Sequence, residues 1–175
     1  MPTLANLTPE ARAVLYHRFP APATQWVIEL ARERGWEEAN RRYLEAMRAR
    51  GFEEMSALME DLGVGPPISH EDVLELLEAA LAIYLPEARV ERIADTGGHP
   101  ALEIQVKECP TYARIEQAGW HGVTACGSWH RRQGWYQALG ARAQDTVIAE
   151  KKWGDAACAA LVELAAAGAE APATE

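Results

Sequence analysis

Hydrophobic spacing changes its period at Pro86, and that change constrains the fold more than any other feature of the chain. Before Pro86, apolar residues recur three and four apart, the repeat that lines up one face of an α-helix. After it they recur at every second residue, the repeat of a strand with one buried face. Helices first and strands later make an α+β chain: an N-terminal helical lobe followed by a small antiparallel sheet covered by helices. The expected divisions are a helical lobe over 1–85, an α/β domain over 86–167 and a disordered tail over 168–175, where small and polar residues take over.

Start and stop signals divide the first half. Thr8 reads as an N-cap with Pro9 and Glu10 in the first turn, and Pro20 and Pro22 end that helix. From Thr24 to about Arg50 the spacing of Trp26, Val27, Leu30, Trp36, Ala39, Tyr43, Leu44 and Met47 is helical, with a kink or a break at Gly35. A further helix is expected over "FEEMSALMEDLG", closed by Gly63. Ser69 with Asp72 three residues on opens another, which ends before Pro86.

In the second half, Val90, Arg92 and Ala94 alternate up to "TGGHP", and Leu102, Ile104 and Val106 alternate after it, a two-stranded antiparallel unit. Helices are expected after Pro110 and over 123–139, and a third strand over Thr146–Lys151. Propensity alone makes the closing "AACAALVELAAAG" a helix.

Of the 175 residues, 49% are hydrophobic and 25% charged, as in a soluble globular protein. The formal net charge is -9, which repels phosphate backbones and argues against nucleic acid as a partner. No window approaches the roughly 18 to 20 apolar residues of a spanning helix, and the start lacks a charged region followed by an apolar one. A cytoplasmic protein with no membrane partner is expected. Three cysteines in a reducing compartment are free thiols, metal ligands or buried small hydrophobes. The expected partner is a small-molecule ligand, and the apolar helices pack either on the sheet or on a second copy in a homodimer.

The chemistry-bearing residues gather between Lys107 and Gly140, which hold Cys109, Cys126, His121, His130, Trp120, Trp129 and Trp135. A helix over 123–139 puts Cys126 and His130 one turn apart on one face. A thiol and an imidazole so spaced serve as nucleophile and base, or as two ligands of one metal. Cys109 ends a strand just before a helix whose first amides favour a thiolate. The candidate catalytic set is Cys126, His130 and Cys109; the candidate ligand-binding set is Trp120, His121, Trp129, Arg131 and Trp135. The plainer readings are that the cysteines and tryptophans are core and that the arginines are a solvated face.

The succession "ECP", "GW..VTACG" and "VIAEKKWGDAAC" resembles the C-terminal half of the L-2-amino-thiazoline-4-carboxylate hydrolase-like family and, more distantly, the 4-vinyl reductase domain family. The resemblance runs from Glu108 to Leu164. Cys109, Cys126 and Cys158 match its cysteine positions, and Gly154 with Asp155 match its Gly-Asp turn. Where the 4-vinyl reductase pattern has a further cysteine this chain has Glu150, and where many hydrolase-like members carry an Asp soon after the helical cysteine it has Ser128, Trp129 and His130.

The resemblance implies a 4-vinyl reductase-like fold with a strand over Ala157–Leu164 against local propensity. It further implies a hydrolase-like enzyme acting on a small heterocyclic or sulfur-containing molecule. The alternative it implies is a non-catalytic domain that binds or senses a small molecule, a tetrapyrrole or a metal. In that reading zinc or iron is held by Cys109, Cys126, His130, Glu150 and Cys158.

Overall fold

The computed structural model describes residues 7–19, 24–94, 97–120, 122 and 124–164. The expected tail over 168–175 and His121 lie outside the described residues. Four helices come first: α1 Pro9–Arg18, α2 Thr24–Arg34, α3 Trp36–Leu62 and α4 His70–Tyr84. Then follow β1 Ala88–Ala94, β2 Pro100–Val106, α5 Pro110–Gln117, α6 Gly127–Leu139, β3 Ala143–Ala149, a short 3-10 turn Lys151–Trp153, and β4 Cys158–Leu164. The fold is α+β, as the change of period at Pro86 predicts. No helix among the described residues is long and apolar enough to cross a membrane.

Local chemistry explains most helix ends. Thr8 accepts a hydrogen bond from the Ala11 amide at 3.2 Å. Ser69 and Asp72 form a reciprocal capping box at the start of α4. The Gly35 interruption is a full break, with φ at +86°, a backbone conformation that only glycine adopts without strain.

Three expected boundaries move. The helix expected to begin at Phe52 is continuous with the one before it, so α3 runs 27 residues through Gly51. That glycine serves packing rather than termination: a Cβ there would sit 1.9 Å from the Arg131 carbonyl oxygen of α6. The helix expected over 123–139 begins only at Gly127, and Cys126 is its N-cap. The third strand is also earlier than expected, because Lys151–Trp153 is already the turn into β4.

The sheet is antiparallel throughout, in the order β1-β2-β4-β3. β4 therefore lies inside the sheet, and both its edges are paired. This explains why an alanine-rich segment is a strand: Ala160, Val162 and Leu164 alternate into the core while two ladders satisfy its backbone.

One face of the sheet is covered by α4 and α6. Leu102 and Val162 sit side by side at its centre, both fully buried. The same row ends in two charged residues that tie down the covering helices. Arg92 of β1 reaches Glu71 and Glu78 of α4, and Asp145 of β3 takes Arg132 and Tyr136 of α6.

The principal core draws on both halves of the sequence, joining Leu15, Leu58, Leu74 and Leu77 to Leu102, Trp135 and Val162. Each such side chain contributes about 1.5–3 kcal/mol on burial. α3 crosses α6 very closely. Gly134 faces Arg48 and Phe52, where a Cβ would lie 2.1 Å from the Arg48 carbonyl oxygen. That crossing brings the midpoint of α3 to the N-terminal end of α6.

Candidate functional site

A cavity of about 350 Å³ lies where the end of α1, the middle of α3, the end of α4, the starts of α5 and α6, and the β3–β4 connection meet. This volume falls within the range of small-molecule sites. All three cysteines line it, and all three are free thiols.

Each thiol is placed by a different element. Cys109 is the N-cap of α5, and its Sγ accepts from the Tyr112 amide at 3.4 Å. Cys126 caps α6 without a side-chain cap hydrogen bond. Cys158 opens β4 opposite Val106, and its Sγ accepts from the Lys151 amide at 3.5 Å. The Tyr112 hydroxyl donates to the Lys151 carbonyl at 3.3 Å, so the segments holding Cys109 and Cys158 are tied together.

Burial pushes the Cys126 thiol up, because a thiolate loses hydration there; the Ser128 amide and hydroxyl oppose it, and the nearby Glu150 and Cys158 add to it. Cys158 is raised by burial too, against the Lys151 amide and with Cys109 and Glu150 adding. Both are neutral thiols at rest, so chemistry at either needs a proton acceptor. Glu150 is a buried cavity residue whose carboxylate meets Lys152 Nζ at 3.2 Å.

Behind the thiols lies a buried ionic cluster. Glu54, wholly buried, accepts from Arg131 Nε and Nη2 at 2.6 Å each, from Arg50 Nε at 2.6 Å and from Trp135 Nε1 at 3.1 Å. Arg131 Nη1 donates to the Tyr84 carbonyl at 3.0 Å, and the Tyr84 hydroxyl donates to the Glu54 carbonyl at 3.1 Å. Arg131 and Arg50 both reach the cavity wall.

The sequence-derived candidates separate into two groups. Cys109, Cys126, Cys158, Glu150 and Arg131 share the cavity. His130, Trp129, Trp135 and Trp120 are not among the residues that line it. Burial, and then the charge of Arg48, hold the His130 imidazole below its ordinary range. Trp129 lies under the Arg132 guanidinium at 4.4 Å, and Trp135 is core. Trp120 packs edge-on against Trp36 and borders a separate void of about 20 Å³, room for one water molecule.

Among the described residues no three His, Cys, Asp or Glu side chains are grouped so as to hold a metal ion. A structural zinc site takes four ligands, so the five side chains of the metal reading do not form a ready centre.

Sequence reasoning missed Tyr43, Arg50 and Glu54. The signal was present: Tyr43, Met47, Arg50 and Glu54 follow helical spacing on one face of α3, and two opposite charges on an inward face mark a buried pair. No protein-family model and no curated protein matches this chain.

Proposed function

We propose that the cavity is a small-molecule site and that the protein is a hydrolase-like enzyme with Cys126 as its reacting group. One observation carries this reading: three cysteines far apart in sequence line a single cavity of ligand size. Burial of small hydrophobes alone does not require them to meet at one wall. A cytoplasmic setting belongs to the reading, since it keeps thiols reduced.

In the proposed reaction Cys126 Sγ attacks the electrophilic carbon of a small heterocyclic or sulfur-containing substrate, and its proton passes to Glu150. The carboxyl group then gives that proton to the leaving atom, and water releases the product by cleaving the thioester-type bond, restoring the thiol. Glu150 takes the role that spacing alone suggests for His130, because it shares the cavity wall with both thiols whose acidity it influences. Resemblance to the L-2-amino-thiazoline-4-carboxylate hydrolase-like and 4-vinyl reductase-like patterns agrees with this reading.

A second reading is favoured by the raised thiols: a non-catalytic binding or sensing domain in which neutral cysteines merely line the pocket. A hydrolysis screen over cyclic thioimidates and thioesters, run with wild type and Cys126→Ala, separates the two. Turnover lost in a correctly folded Cys126→Ala protein supports the enzyme. Turnover retained in that variant, or none in wild type, overturns it.

A further inference from the structure

We infer that the ligand of this cavity is an amphipathic monoanion, an apolar body carrying one anionic head group that Arg50 receives. The inference rests on the cavity being a small-molecule site and names what that site takes.

The charges around the cavity do not cancel, and the surplus falls on one residue. Every nitrogen of Arg131 has an acceptor, with Nε and Nη2 on Glu54 and Nη1 on the Tyr84 carbonyl. Lys152 and Glu150 pair with each other at 3.2 Å. Glu87 and Arg114, both exposed, oppose one another in sign on the outer wall. What remains is Arg50, which gives only its Nε to Glu54.

Glu54 cannot neutralise it further. Each oxygen of that carboxylate already accepts two donors, Oε1 from Arg50 and Arg131, Oε2 from Arg131 and Trp135. Two guanidinium groups thus share one carboxylate. The two terminal nitrogens of Arg50 carry no acceptor among the described residues, and the side chain is 11% exposed. Four of the five N–H donors of this half-buried cation are thus open to the cavity, and an anion placed on the paired Nη groups takes them up through two parallel charge-assisted bonds.

The rest of the wall defines the body. Phe19, Tyr43, Met47, Tyr84, Leu85 and Ile115 present rings and aliphatic surface to the cavity, and the three thiols add soft, weakly polar surface. A volume of about 350 Å³ accepts a body larger than a single five-membered ring.

Two dyes with one fluorophore test this: 8-anilinonaphthalene-1-sulfonate, which carries the anion, and N-phenyl-1-naphthylamine, which lacks it. Occupancy of the cavity is read by protection of Cys126 from iodoacetamide, located by peptide mass analysis. In wild type the anionic dye is expected to bind one to one, at least about tenfold more tightly than the neutral dye, and to protect Cys126. Arg50→Gln, whose amide can still donate to Glu54, is expected to weaken the anionic dye by about tenfold and leave the neutral dye within about twofold.

Equal affinity for the two dyes in wild type, a comparison that needs no variant, overturns the inference. So does an equal loss of both dyes in a folded Arg50→Gln protein. In either case protection of Cys126 by the neutral dye leaves the small-molecule site standing, whereas protection by neither dye removes both.

Discussion

Arg131 of α6 grips Glu54 of α3 through two hydrogen bonds of 2.6 Å, with side chains 7% and 0% exposed. The pair joins the two helices that cross most closely, and Arg50 and Trp135 complete the shell of the carboxylate. Removing that carboxylate strands the buried Arg131 guanidinium and the half-buried one of Arg50. Glu54→Gln is therefore expected to destabilise the fold by about 3–5 kcal/mol in urea unfolding, the usual cost of an uncompensated buried charge. A loss below about 1 kcal/mol would show that water already reaches the cluster.

A Cβ on Gly134 would stand 2.1 Å from the Arg48 carbonyl oxygen and 2.6 Å from the Phe52 nitrogen, both backbone atoms that cannot swing aside. Gly134→Ala is expected to cost at least about 1–3 kcal/mol, despite the better helix propensity of alanine. Gly65→Ala is the control, because nothing lies within 4 Å of a Cβ there, and its melting temperature should stay close to wild type.

These glycines also show where the sequence stops being legible. The change of period at Pro86 located the helices and strands because periodicity is a local property. Gly51 invited a helix end, whereas its purpose lies across a contact with Arg131, which no local pattern encodes. β4 is similar: alanine and leucine favour a helix, and only pairing on both edges makes Cys158–Leu164 a strand. For the site, the cysteines and Arg131 were visible as residue types, but their meeting depends on how α5, α6 and the β3–β4 turn converge. Cys126 lines the cavity and His130 does not, although a spacing of four residues puts the two on one helical face.

The thiols should respond to pH in a specific way. Burial raises Cys126, so its alkylation rate is expected to be slow near neutrality and to rise with a midpoint above the ordinary cysteine range. Its folded value lies above its unfolded one, so the stabilisation is complete below the unfolded value and is lost as pH rises through the folded one. Alkaline destabilisation should therefore be smaller in Cys126→Ala than in wild type, measured as urea midpoints across that range. Rapid labelling of Cys126 at pH 7, as for an activated thiolate, is the contrary result.

His130 offers the opposite sign. Burial, then the charge of Arg48, lowers its folded value below the ordinary imidazole value, so the native state binds fewer protons than the unfolded chain between the two. Stability is complete above the ordinary value and falls as pH drops through it toward the lowered one. His130→Gln is expected to flatten the stability profile over that window, and Arg48→Gln to flatten it less, since burial is the larger cause. The same His130→Gln variant should leave the pH profile of Cys126 alkylation unchanged, because the imidazole is not part of the cavity wall. A shift in that profile would return His130 to the site as the base of Cys126 and displace Glu150 from that role.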